Sequence, residues 1–389
     1  MIYLDNAATT RIDDAVFGAM QPFLGDFYGN AGSLHSVGRE AFDAVRKARE
    51  QVAWFINASP EQIIFTSGGT EANNMVINNA SLEEYRRKIV TSAVEHDSIL
   101  KSAKHAIEYG LANSFWKIPV TLTGIIDLEY AQKLILNNKN APFISLASFM
   151  HTNNELGSVN PIEEIGELCS DLSIPFHTDC VQAAGFSEID VEKFKCDFLT
   201  LSSHKIHGPK GVGCLYVRNP DKFHPLVFGG DSQEFGLRGG TENVAGIVGF
   251  GKACEIAKDE LEYTRMFILK CVETFVKNLR TELGYYNLEN ILHFNIGDVN
   301  RKVLNFYFEG IRSEALIMLL DSYGVCVSAG SACNASDGKP SHVLKAIGLT
   351  DDEARSSIRV SFSKYNEISE VIEATKIMAN CVEVLYEQP

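Results

Sequence analysis

Short apolar runs recur through the first two-thirds of the chain: QIIFTS (62–67), KIVTSAV (88–94), FISLASF (143–149), IPFHTD (174–179), DFLTLSS (197–203) and GVGCLYV (211–217). Each has the length of a buried strand and runs into a loop rich in Gly, Ser, Asn or His. Helix-patterned stretches lie between most of them, as in PIEEIGELCSDL (161–172), where Pro161 suits a first helical turn. This alternation predicts an α/β fold with a mainly parallel sheet covered on both faces. The last two runs are separated by only a few residues and predict an antiparallel edge pair. In such sheets ligands bind beyond the carboxyl ends of the strands, where these polar loops fall.

From about residue 258 the pattern changes. A long helical stretch, KDELEYTRMFILKCVETFVKNLRTEL, leads to strand-like runs KVLNFYF and SIRVSFS, and EISEVIEATKIMANCVEVLYEQP reads as an amphipathic helix. Residues 15–257 are therefore expected to form a large domain. Residues 258–389, joined by 1–14, are expected to form a smaller α+β domain. No internal repeat, low-complexity tract or flexible linker interrupts the pattern.

Composition narrows the function without naming it. The 389 residues are 45% hydrophobic and 22% charged, as in an ordinary globular protein. The net charge of −15 argues against broad binding of DNA or RNA. MIYLDNAATTRIDD does not read as a secretory signal, and no run approaches the ~18 apolar residues of a membrane span, so a cytoplasmic, membrane-free protein is expected. Nine cysteines, with no C-x-x-C, suit a reducing compartment. Cys214 and Cys326 sit in apolar surroundings and read as small buried hydrophobes. Cys333 lies in VSAGSACNASDGKPS (327–341), a small, polar segment that cannot build a core. About seven residues on either side, at ~3.3 Å each, give its thiol a reach of roughly 20 Å.

The strand-end loops hold the remaining chemistry. FTSGGTEANN (65–74) turns a strand into a helix through two glycines, and can serve as a simple capped turn or as a phosphate cradle. In FHTDCVQAAG (176–185), Asp179 and Gln182 can cap a following helix; alternatively, Asp179 can partner a cationic ring nitrogen of the kind found in pyridoxal phosphate (PLP). LSSHKIHGPKGVG (201–213) puts Lys205 after a strand, where a desolvated lysine can form a Schiff base. His204 and His207 are three apart with no further ligands to complete a zinc set, so no metal site is expected. His96, in TSAVEHDSI, can stack on a flat cofactor or begin a helix.

Taken together, TSGGTE, VEHDSI, HTNNELG, HTDCVQ, SSHKIHGPKG, RGGTEN and SAGSACN occur in the order of the NifS/IscS-type cysteine desulfurases, and the resemblance runs from YLDNAATT (3–10) to SSIRVSFSKYN (356–366). These are class V aminotransferase-group enzymes with the aspartate aminotransferase-like PLP fold type I. The resemblance implies PLP as cofactor, bound covalently by Lys205. Asp179 would pair with the ring nitrogen, Gln182 would bond the ring hydroxyl, and His96 would stack on the ring and move protons. Gly69, Thr70, Ser202 and His204 would hold the phosphate, with Thr241 reaching across from the partner of a homodimer. Asn154 and Arg359 would bind the carboxylate of L-cysteine. Cys333 would take the sulfur as a persulfide, on the kind of segment found in the mobile-loop group, and pass it to an acceptor protein.

The sequence also departs from the family. N-P-S-S-x-H is Asn30-Ala31-Gly32-Ser33-Leu34-His35, and H-G-G-G-Q-E-R-G is the longer Phe228–Gly236, without its Arg. The Ser usual before Gly-Thr is Gly239. The end of the chain soon after its last helix suggests a specialised acceptor, as in tRNA thiolation or DNA phosphorothioation, rather than a general iron–sulfur scaffold. A selenocysteine lyase, another class V PLP enzyme or a non-catalytic sulfur-pathway adaptor are the alternatives.

Overall fold

The computed structural model describes residues 1–82, 88–137, 143–296, 301–330 and 339–387. Cys333 lies outside the described residues. The strands are β1 (Ile2–Tyr3), β2 (Ile63–Thr66), β3 (Lys88–Ser92), β4 (Ser114–Ile118), β5 (Ile144–Ser148), β6 (Phe176–Asp179), β7 (Phe198–Ser202), β8 (Gly213–Val217), β9 (Leu292–Phe294), β10 (Val303–Phe308), β11 (Val325–Cys326) and β12 (Ser357–Ser361). The helices are α1 (Asp14–Leu24), α2 (Ser36–Phe55), α3 (Gly69–Ser81), α4 (Asp97–Glu108), α5 (Leu128–Asn137), α6 (Ile162–Asp171), α7 (Val244–Asp259), α8 (Leu261–Tyr285), α9 (Ser313–Ser322), α10 (His342–Ala346), α11 (Asp351–Ser356) and α12 (Ile368–Tyr386).

Seven strands form one sheet in the order β2-β8-β7-β6-β5-β3-β4. Only β8 runs against the rest, pairing antiparallel with both β7 and β2. The β7–β8 pair is thus antiparallel as expected but lies inside the sheet, because β2 covers β8 and forms the edge. Nothing in the local pattern of 197–217 specifies a partner that departs from the chain more than 130 residues earlier. Within each strand, alternation divides the side chains between two layers. Ile63 and Phe65 join a core with Val45, Val52, Ile165, Ile247 and Phe250, whereas Ile64 joins Met75, Val76, Ile99 and Ala103 on the other face. Pro161 sits one position before α6 rather than in its first turn.

A further core gathers α8, α9 and α12 on the β12-β10-β9 sheet, with Phe275 between Phe306 and Phe362. Leu4 is fully buried there, and β1 pairs parallel with β11. Burying a leucine stabilises by about 1.5–3 kcal/mol, enough to fix the path of the first residues. That path then crosses to the large sheet, where Thr10 N–H and its hydroxyl donate to the His204 carbonyl (3.0 and 2.9 Å). The change of character expected at 258 falls in the last turn of α7. Cys214 is buried as expected; Cys326 is not, since the short β11 leaves it partly exposed beside Asp321. Among the described residues no helix is long and apolar enough to cross a membrane.

Candidate active site

The first wall of the site is built by strand ends. β2 stops at Thr66, and Gly68 takes φ 150°, a conformation side-chain-bearing residues rarely adopt. α3 starts at Gly69 with no side-chain cap, so the segment is not the simple capped turn that its sequence also allows. Its first-turn amides therefore point outward without intrahelical acceptors. A Cβ at Gly69 would stand 3.0 Å from Val181 Cγ2 and 3.8 Å from Ser202 Cβ, which places the helix start against the ends of β6 and β7. Ser202 is buried there, while Thr70 is exposed.

No helix follows Asp179. Its Oδ1 accepts from Val181 N–H at 3.0 Å, and its Oδ2 accepts from Asn73 Nδ2 at 2.8 Å. Asn73 also donates to Ser98 Oγ (2.8 Å), which in turn pairs with His96 Nδ1 (2.8 Å). A continuous hydrogen-bonded chain thus joins Asp179 to His96 through two residues that sequence reasoning missed. Asn73 stands one turn into the TSGGTEANN helix and Ser98 two residues after His96; only their proximity in space distinguishes them from ordinary helix polar residues. His96 is both the N-cap of α4, accepting from Ser98 N–H at 3.1 Å, and part of the site. Burial holds its pKa below the ordinary value, with the Asp179 charge opposing and the Lys205 charge reinforcing the shift. A neutral imidazole that accepts at Nδ1 carries its proton on Nε2.

Lys205 ends the turn after β7, and its Nζ donates to the carbonyls of Ala7 (2.6 Å) and Ala8 (2.7 Å). Gln182 Nε2 donates to the same Ala7 oxygen at 2.9 Å, so one carbonyl of the N-terminal arm joins both residues. His204 Nδ1 lies 3.1 Å from Thr9 Oγ1, and burial beside Lys205 lowers its pKa to about 4.

The second wall comes from the other end of the chain. Arg359, on β12, is almost fully buried. Its Nη1 donates to the Asn154 carbonyl (2.9 Å) and its Nη2 to Asp5 Oδ1 (2.8 Å); its Nε is buried with no acceptor among the described residues. Asp5 is a further residue missed in the sequence, 354 positions from its partner. HTNNELG forms a tight turn in which Asn153 Oδ1 accepts from the N–H groups of Glu155 and Leu156, both at 2.9 Å.

The segment that departs from the family is internally anchored. Glu234 accepts two bonds from buried Arg49 (2.8 and 2.7 Å) and one from Phe65 N–H (2.7 Å), and Phe235 lies against the same guanidinium. The longer segment passes directly over residue 239. A Cβ on Gly239 would meet Gly229 Cα and N at 2.4 Å, so serine cannot stand there without moving the backbone. Arg238 ties this region to Glu71 in α3 (2.9 Å), and Thr241 is exposed.

Two features fit a flat group with an anionic tail. Gln182 Oε1 is buried without a hydrogen-bond partner among the described residues, and Gly69 leaves a cradle that a Cβ would fill. The comparisons agree. The Aminotransferase class-V family model matches residues 2–373. "Cysteine desulfurase IscS" of Dictyoglomus turgidum is 38% identical over 390 residues, covering 99% of this chain and 95% of the relative. "Cysteine desulfurase" of Nostoc sp. is 40% identical over 393 residues, covering 99% and 94%. A NifS-like protein of known structure superposes with a TM-score of 0.87 at 34% identity, covering 99% of this chain and 100% of the other. SspA in complex with cysteine gives a TM-score of 0.76 at 32% identity, covering 94% and 100%. The fold is that of the type I PLP-dependent enzymes. The chain belongs to the class V aminotransferase family and, within it, to the NifS/IscS-type cysteine desulfurases, with pyridoxal phosphate as cofactor.

Proposed function

We propose that the chain converts L-cysteine to L-alanine and carries the released sulfur as a persulfide on Cys333. The observation that most supports this reading is the hydrogen-bonded chain from Asp179 to His96, set beside Lys205 and Gln182 at neighbouring strand ends. When bound, PLP supplies an electron sink that labilises bonds at the substrate's Cα and Cβ. Lys205 would hold the cofactor, Asp179 would serve its ring nitrogen, and Gln182 would serve its hydroxyl. Gly69, Thr70, Ser202 and His204 would hold the phosphate. His96, neutral and bearing its proton on Nε2, would exchange protons with the substrate. Arg359 and Asn154 bind the substrate carboxylate. The thiolate of Cys333 attacks the substrate sulfur; the S–S bond forms as the Cβ–S bond breaks, and Cβ takes up a proton to leave alanine.

The functional unit is a cytoplasmic homodimer in which Thr241 of each copy serves the other's phosphate site, and the sulfur passes to an acceptor protein. Supporting the dimer, Thr241 is exposed and Phe228, in the neighbouring departed segment, leaves its ring in solvent. The test is mass spectrometry after treatment with L-cysteine. Cys333 should gain one sulfur atom, and neither Cys333→Ser nor Lys205→Ala should acquire a persulfide. A persulfide on another cysteine would overturn the assignment.

A further inference from the structure

Glu155 stands beside Asn154 in HTNNELG, and the roles assigned above leave its carboxyl unused. The carboxyl is almost completely buried. It accepts a hydrogen bond from Ser341 Oγ at 2.6 Å. Its Oε2 would also be 3.0 Å from a Cβ placed on Gly330, where φ is +48°. The same Cβ would be 3.8 Å from Ser341 Cβ, so positions 330 and 341 meet over this one carboxylate. Glycine at 330 is explained twice, by its left-handed backbone and by the lack of room beside Glu155. These two positions bracket the stretch of chain that contains Cys333.

Both feet are tied further into the site. On the first side, Ser328 and Arg359 exchange backbone hydrogen bonds at 3.1 and 2.6 Å, and Arg359 bonds the Asn154 carbonyl. On the second, Ser341 Oγ accepts from Val343 and Leu344 N–H to cap α10, and His342 Nε2 bonds the carbonyl of Glu95, the residue before His96. The Asn153 turn fixes the backbone that carries Glu155, since Asn153 Oδ1 accepts from the Glu155 and Leu156 N–H groups. Burial pushes the Glu155 carboxyl up, and the Ser341 hydroxyl, His342 and Arg359 act against that shift.

We propose that Glu155 is a positioning residue for sulfur transfer: its carboxyl clasps Gly330 and Ser341 and so fixes both ends of the Cys333 segment against the substrate-carboxylate residues. This inference rests on the reading of Cys333 as the sulfur acceptor. A clasp of this kind governs how often the thiol meets the bound substrate, not how tightly the substrate binds. The two should therefore separate in kinetics.

The test compares Glu155→Ala, Glu155→Gln and Ser341→Ala holoenzymes in single turnovers with L-cysteine, following the Cys333 persulfide by acid quench and mass spectrometry. Glu155→Ala should slow its appearance about tenfold or more, while half-saturation for cysteine stays within about twofold. Glu155→Gln, whose amide oxygen still accepts from Ser341, should recover most of the rate. In the absence of substrate, iodoacetamide should alkylate Cys333 severalfold faster in Glu155→Ala than in the parent. Parental rates of both persulfide formation and alkylation in Glu155→Ala would overturn the clasp. If that variant fails to fold, Ser341→Ala, which keeps the buried carboxyl, must show the same split, and a parental rate there would overturn it equally. A persulfide on a different cysteine would instead refute the reading beneath it.

Discussion

The two walls of the site are made in different ways. The wall proposed to hold the cofactor is local: Gly69, His96, Asp179, Gln182 and Lys205 each stand within a few residues of a strand end, and the sheet order brings those ends together. The wall proposed to bind the substrate is assembled over distance, with Arg359 meeting Asp5 and Asn154 across 354 and 205 positions. The arm that starts at Ile2 serves both, since its buried Leu4 belongs to the second core while its Ala7 and Ala8 carbonyls receive Lys205. A wall built on one sheet tolerates sequence change wherever a strand end is kept. A wall built from three remote segments depends on every tie between them.

The largest effect is expected on the cofactor wall. Lys205→Ala should abolish turnover and leave a protein without covalently bound PLP, read from the absorbance of the purified protein; the fold should survive, because Lys205 is only half-buried and the Ala7 carbonyl keeps its bond from Gln182. On the substrate wall, Arg359→Lys loses the planar guanidinium that spans Asn154 and Asp5. It should lower kcat/KM for cysteine about 10- to 100-fold, mostly through KM. Asp5→Asn leaves Arg359 buried without its counter-charge and should cost about 3 kcal/mol or more in urea unfolding. A stability loss in Lys205→Ala larger than that in Asp5→Asn would reverse the comparison.

A smaller effect sharpens it. Restoring the family's serine at 239 drives a Cβ into Gly229 and should destabilise by about 1–3 kcal/mol, read from the urea midpoint. The smallest effects are those of pH. Burial lowers His177 to about 3 and His151 to about 4, from an ordinary value of 6.5. Below about 6.5 the unfolded chain takes up protons that the folded protein refuses, so stability falls with acid, by at most about 1.4 kcal/mol per pH unit per histidine. Glu95 has the opposite sign. Burial raises it from 4.5 to about 8, so it stays protonated in the fold while the unfolded carboxyl ionises. Its own contribution should therefore fall as pH rises from 4.5 toward 8, opposing the histidines below 6.5, and the stability of Glu95→Gln relative to the parent should rise over that range in urea midpoints taken at successive pH values.

Legibility followed the same division. The strand-end placement of Lys205, Asp179 and Gln182 is readable because a polar residue at the end of an apolar run is a local signal, whereas their roles toward PLP come from the family resemblance. Asn73 and Ser98 were not readable, for each looks like any polar residue in an early helical turn until α3 and α4 pack side by side. Gly239 read as a bare departure; only the crossing of 228–229 over it gives the reason. The antiparallel β7–β8 pair was predictable from its short connection, but not its place inside the sheet, which depends on β2.

By itself, the sequence determined the alternation of strands and helices, the end of the sheet where chemistry collects, and the residue types that suit a PLP site. Those are short-range matters, set by periodicity and by what a strand end exposes. The tertiary structure alone decided that one arm carbonyl joins Lys205 to Gln182, that Asp5 balances Arg359, and that Glu155 meets both Gly330 and Ser341. Each of these is a hydrogen bond or close approach between remote segments. Its energy depends on ångström distances that the packing of two cores imposes, and no local pattern encodes them.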